Sequence, residues 1–178
     1  MRIIGGKYKG KRILPPKKFP SRPTTDMAKE ALFNILQNQI YFEDAKVLDL
    51  FAGTGNISLE FLSRGAMEVL SIEKHPLVIK HLNKIQKEWE IEGWSILRKD
   101  VFKAIEELDQ SFNVIFADPP FQMRETADLP DFILNSNLIK KGGLLIIEHG
   151  QENSYSEHQD LTDTRRYGGV YFSFFKQD

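Results

Sequence analysis

Val47-Leu-Asp-Leu-Phe-Ala-Gly-Thr-Gly55 runs from a short apolar stretch into a glycine turn, and the residues after it, 56–64, have helical character. A buried strand, a tight turn and a helix in that order make the first half of a βαβ unit, in which a ligand approaches the backbone beside the strand's carboxyl end. The alternation continues downstream. Val47–Phe51, Val69–Ile72, Ser95–Arg98, Val114–Ala117 and Leu144–Ile147 read as strands, and residues 56–64, 76–90, 101–109 and 125–136 as the helices between them. Such a series calls for a mostly parallel sheet with both faces covered. At the end of the chain Thr162–Tyr167 and Val170–Lys176 flank Gly168-Gly169, a hairpin turn signal. The expected fold class is α/β, with five parallel strands followed by a terminal antiparallel hairpin.

Upstream of the glycine turn, Thr24–Ile40 places Ala28, Ala31, Leu32, Ile35 and Leu36 on one helical face, with Thr25 as its N-cap and Asp26 and Glu30 near the positive end of the dipole. The residues before that helix carry the charge asymmetry of the chain. Residues 1–29 hold nine basic side chains and one acid, a surplus of +8, against a whole-chain net charge of -1. A basic arm on an acidic body seeks a polyanion, because phosphate neutralisation releases counterions. Ile3, Ile4, Tyr8, Ile13 and Leu14 interleave with these charges and Gly5, Gly6 and Gly10 mark turns, so residues 1–22 read as a small hairpin arm and 23–178 as the main domain. The arm is expected to add affinity for such a polyanion and nothing to a cofactor pocket.

Composition narrows the chemistry. The 178 residues include no cysteine, which excludes thiol nucleophiles, zinc knuckles and iron–sulfur sites, and a makeup of 41% apolar and 28% charged residues is that of a globular domain. No apolar run approaches the roughly 20 residues of a membrane span, so the expected location is the cytoplasm. His75, His81, His149 and His158 lack metal-ligand spacing and read as surface or helix residues; no metal is expected.

What remains is carboxylate and backbone chemistry. Ser71-Ile-Glu73-Lys follows the glycine turn at the end of the next strand, where an acid accepts hydrogen bonds from both hydroxyls of a ribose. A dinucleotide fold wants a third glycine at position 58, and Ser58 stands there, which disfavours a nicotinamide oxidoreductase. Asp49 lies where it can face a cationic amine or cap the next helix. Ala117-Asp-Pro-Pro-Phe121 leaves the apolar strand with two prolines in succession, which remove two backbone donors and let the carbonyls of Asp118 and Pro119 point into a cleft. An exocyclic amine needs such acceptors, and Phe121 offers a face for a flipped base. Glu148, at a strand end, either lines the mouth of the substrate site or caps the sheet.

Phe51-Ala-Gly-Thr-Gly55, Glu73 and Asp118-Pro-Pro-Phe121 resemble the S-adenosylmethionine-dependent amino-methyltransferases of the Rossmann-like class. Arg2-Ile-Ile-Gly-Gly6, Arg22-Pro-Thr-Thr-Asp26 and Glu30-Ala-Leu-Phe-Asn34 resemble, more narrowly, the RsmD family, which methylates the N2 amine of a guanine in small-subunit ribosomal RNA. The resemblance implies S-adenosylmethionine as cofactor, with Gly53 and Gly55 at its methionine end, Glu73 on the ribose and Asp100 facing the adenine amine. It implies that Asp118 and Pro119 hold the target amine, and that the partner is small-subunit RNA within an assembled or assembling subunit. A monomer is expected. Adenine N6 in DNA, a protein amide, or RNA binding without catalysis are the alternative readings.

Overall fold

A computed structural model describes residues 1–16, 19 and 25–176. Seven strands form one sheet: β1 Lys46–Asp49, β2 Glu68–Glu73, β3 Trp94–Arg98, β4 Phe112–Ala117, β5 Ile139–His149, β6 Leu161–Tyr167 and β7 Val170–Lys176, in spatial order β3-β2-β1-β4-β5-β7-β6. The first five are mutually parallel; β7 runs antiparallel to both β5 and β6. The expected terminal hairpin is present, with β7 inserted between β5 and β6.

Alternation along the apolar strands explains why both faces are covered. Val47, Val114, Phe116, Leu144 and Ile146 enter one core, with helices α1 (Asp26–Leu36), α2 (Asn56–Ser63) and α3 (Pro76–Glu88). Their neighbours Leu48, Ile115, Ala117, Leu145 and Ile147 enter the other, with α4 (Val101–Glu107) and α5 (Leu129–Leu134). Period-two side-chain direction thus turns a continuous apolar run into two cores.

Most boundaries shift by one or two residues, and three elements depart further from expectation. The helix expected over 125–136 is a 3-10 turn, Arg124–Thr126, and a separate α5 with Pro130 in its first turn, where the missing N–H costs no intrahelical bond. The strand expected at 144–147 extends to 139–149, because Ile139 pairs with Phe112 across a register shift and Glu148 and His149 pair with β7. In α1 the capping expectation holds, with Thr25 accepting from the Ala28 amide, but the buried positions are Ala28, Lys29, Leu32, Phe33 and Leu36. Thr24, the expected start of that helix, and the expected boundary at residue 22 lie outside the described residues.

The expected N-terminal hairpin is folded down onto α2. Arg2 bridges Arg12, the Gly10 amide donates to the Ile3 carbonyl, and Ile3, Tyr8 and Ile13 are buried in the first core. Gly6 permits the approach: a Cβ there would lie 1.6 Å from the Ser63 carbonyl oxygen. Lys29 anchors the join. Its fully buried ammonium reaches Glu60 at 3.0 Å and donates to the Asn56 side-chain oxygen and the Arg2 carbonyl, each at 2.7 Å. Glu60, also fully buried, accepts from the Ile4 and Gly5 amides and from Arg64, each at 2.9 Å. Burial lowers the pKa of Lys29 from its ordinary value, and Glu60 opposes that shift. Removing one member of a buried pair strands the other. Glu60→Ala is therefore expected to cost about 3–5 kcal/mol in urea unfolding; a loss below about 1 kcal/mol would contradict this role for the pair.

Candidate functional site

The strand order reverses between β1 and β4, and in an open α/β sheet the ligand crevice lies at the carboxyl ends of the strands flanking such a reversal. The acids singled out from sequence collect there. Asp49 ends β1, Glu73 ends the neighbouring β2, and Asp118 follows β4 on the other side. Register keeps them close, with Asp49 paired to Ser71 on one side and to Phe116 on the other.

Between β1 and α2 the chain turns through Gly53 and Gly55 at φ of 50° and 78°. At Gly55 a Cβ would stand 2.8 Å from Leu82 and 3.3 Å from Trp94, so positive φ and close packing both call for glycine. The Gly53 amide donates to Glu73 Oε2 at 3.2 Å, and the Lys74 and His75 amides donate to Oε1, each at 2.8 Å. Glu73 is thereby held by backbone on both oxygens, with lone pairs left for further donors. Asp100 caps α4, accepting from the Phe102 amide at 3.1 Å. It follows β3, one strand beyond Glu73.

Asp49 does not cap α2; Gly55 occupies that position. Its carboxyl is buried, and Ser58, in the first turn of α2, donates to Oδ2 at 2.5 Å. The Trp94 indole donates to Ser71 at 2.8 Å, and the Ser71 and Ser58 hydroxyls lie 2.7 Å apart. Since the Ser58 proton is committed to Asp49, Ser71 donates to Ser58, and the whole chain of hydroxyls points at the carboxylate. Oδ1 is buried with no hydrogen-bond partner among the described residues. Burial pushes Asp49 up from 3.8 to about 6, Ser58 opposes that rise, and the charge of Glu73 adds to it. The folded value exceeds the unfolded one, so ionisation of Asp49 withdraws stability as pH climbs from 3.8 through about 6.

On the β4 side, Asp118, Pro119, Phe121, Glu148, His149 and Gly150 line one cleft. Phe121 is 66% exposed, so its ring is open to a stacking partner. Burial raises the Asp118 carboxyl well above its ordinary value, and the charges of Glu148 and Asp49 raise it further. Glu148 lies in the wall of this cleft. His149 departs from expectation: it is buried at the end of β5, where Nδ1 donates to the Gly150 carbonyl and Nε2 lies 2.8 Å from the Ser173 hydroxyl. The arm departs as well, since the Thr54 hydroxyl in the glycine turn donates to Met1 Sδ at 3.4 Å and Lys29 ties the Arg2 carbonyl to Asn56. It touches the turn it was expected to ignore.

A family profile described as conserved hypothetical protein 95 matches residues 1–176. Ribosomal RNA small subunit methyltransferase D of Escherichia coli K12 is 31% identical over 153 residues, covering 86% of this chain and 76% of the relative. The chain belongs to the RsmD family. A hypothetical protein of Thermus thermophilus, TTHA0928, superposes with a TM-score of 0.87 at 28% identity, covering 99% of both chains. The T. thermophilus 16S rRNA N2 methyltransferase RsmC, solved with AdoMet and guanosine, shares the fold at a TM-score of 0.70 and 23% identity, over 90% of this chain and 45% of that one. An RsmD-family chain with this sheet is a Rossmann-like, S-adenosylmethionine-dependent methyltransferase. The residues fit that cofactor: a buried acceptor without a donor suits an ammonium group.

Sequence reasoning misses Ser58 in this RsmD-family site. In the sequence it stands only as the absence of a third glycine, whereas its position on the strand-facing side of α2 makes it the support for Asp49. Ser58→Ala removes a hydrogen bond that favours the ionised carboxylate, so the Asp49 titration followed by carbon NMR should move upward from about 6. An unchanged or lowered midpoint would contradict the assignment.

Proposed function

We infer that the protein transfers a methyl group from S-adenosylmethionine to the exocyclic N2 amine of a guanine in small-subunit ribosomal RNA. It acts as a cytoplasmic monomer on an assembled or assembling subunit. The observation that carries this reading is the Asp118-Pro-Pro-Phe121 cleft at the end of β4, the strand that pairs with the Asp49-bearing β1 where the strand order reverses. The 31% identity to the E. coli small-subunit RNA enzyme supports the RNA partner. No helix among the described residues is long and apolar enough to cross a membrane.

The family resemblance and the placement of these residues support one role for each. The unpartnered oxygen of Asp49 takes the methionine ammonium, the Gly53–Gly55 turn passes along the methionine end, Glu73 accepts from the ribose hydroxyls, and Asp100 faces the adenine amine. When bound, the cofactor supplies an electrophilic methyl group. Asp118 and the Pro119 carbonyl accept hydrogen bonds from the target amine, turning its lone pair toward that methyl and stabilising the positive charge that grows on nitrogen. A carboxyl whose pKa already lies well above the ordinary range can take up the proton that the alkylated amine sheds. Phe121 stacks on the extruded base and offsets part of the unstacking cost. The arm's exposed Lys7, Lys9, Lys11 and Arg12 add phosphate contacts.

The test is label transfer from S-adenosylmethionine to under-modified small subunits, followed by nucleoside mass spectrometry. N2-methylguanosine is expected from the wild-type protein, and Asp118→Ala should abolish transfer while S-adenosylhomocysteine still binds. N6-methyladenosine, or label on DNA or protein instead of RNA, would overturn the reading.

A further inference from the structure

The cleft holds a second carboxylate with no part in the roles above. Ala117 and Ile147 are register partners on the parallel strands β4 and β5. The next residues, Asp118 just past β4 and Glu148 within β5, therefore sit at the same level on neighbouring strands, which lie about 4.8 Å apart in the hydrogen-bonding direction. Both line the cleft that Phe121 borders. Glu148 is only 7% exposed, held between β4 and β7 where it pairs with Phe172. The negative charge of Glu148 also contributes to the raised pKa of Asp118, so the two carboxyls act on each other.

We propose that Glu148 is a specificity-determining residue that accepts the N1–H of the target guanine while Asp118 accepts its N2 amine. This rests on the guanine reading above. Guanine carries two adjacent donors on its Watson–Crick edge, N1–H and the N2 amine. Adenine and cytosine each set a ring-nitrogen acceptor beside their amine, and uracil has no amine. Ionised carboxylates only accept. A pair of them side by side is matched by the two donors of guanine, whereas adenine or cytosine would turn a ring lone pair toward a buried carboxylate. Sites built to hydrogen-bond a group reject analogues lacking it far more strongly than apolar pockets reject a size change, because the buried partner is left unpaired.

The probe is 2-aminopurine, which keeps the N2 amine but has an N1 acceptor in place of N1–H. Small subunits are reconstituted with RNA carrying either guanine or 2-aminopurine at the mapped target position. Wild-type protein should methylate the 2-aminopurine substrate with a kcat/KM at least about 100-fold lower. Glu148→Gln should keep most of its rate on guanine, because the amide oxygen still accepts from N1–H, and lose most of its discrimination against 2-aminopurine, because the amide nitrogen can donate to N1. Retained S-adenosylhomocysteine affinity shows that the variant is folded, and wild-type discrimination tests the proposal without any variant. Equal wild-type rates on the two substrates, or Glu148→Gln discriminating against 2-aminopurine as strongly as wild type, would overturn the role of Glu148 alone. Absence of N2-methylguanosine with wild-type protein would overturn the guanine reading and this proposal together.

Discussion

A fully buried ion pair, Lys29 with Glu60, fastens the N-terminal hairpin, α1 and α2 into one unit directly behind the glycine turn. Charges in such a place are tolerated only when each finds several partners, because the cost of leaving water exceeds what a single ion pair returns. Here Lys29 has three acceptors, and Glu60 has two backbone amides and Arg64 in addition. The consequence is positional. Asn56, the first residue of α2, is held by Lys29, so the helix that follows the turn starts at a fixed place relative to β1. A hairpin rich in positive charge is thereby built into the support of the glycine turn.

The parallel sheet does the rest of the positioning. Strands that run the same way bring their carboxyl ends to one edge, and the reversal of order between β1 and β4 opens a crevice there. Asp49, Glu73, Asp118 and Glu148 lie along that edge, where burial raises the pKa values of Asp49 and Asp118 and the charges of the neighbouring carboxylates raise them further. Electrostatic strain of this kind concentrates where a protein handles a cation or a set of hydrogen-bond donors. The hydroxyl chain from Trp94 through Ser71 and Ser58 holds Asp49 in one orientation, so the strain is directed and not relieved by side-chain rotation.

Much of this was legible in the amino-acid sequence because it is local. Period-two apolar runs located the strands, Thr25 declared the start of α1, Gly168-Gly169 declared the terminal hairpin, and Asp118-Pro-Pro-Phe121 declared a polar exit from a buried strand. Features that depend on distant partners were not legible. Lys29 reads as one more positive charge of the arm until Glu60 and Asn56 are brought against it. Ser58 is one polar residue in a helix until β1 lies beneath it, and the full length of β5 depends on pairing with Phe112 and with β7. His149 illustrates the same limit: nothing local to it foretells the Ser173 hydroxyl on the adjacent strand.

The central claim is that carboxylates on the ends of β1, β2, β4 and β5 form a single methyl-transfer site, and a crystal structure of the protein with S-adenosylhomocysteine and guanosine tests it most directly. The account predicts the methionine ammonium on Asp49 Oδ1, the ribose on Glu73, and the guanine stacked against Phe121 with its N2 amine on Asp118. A cofactor seated away from the Gly53–Gly55 turn, or a guanine whose N2 points away from Asp118, would contradict it.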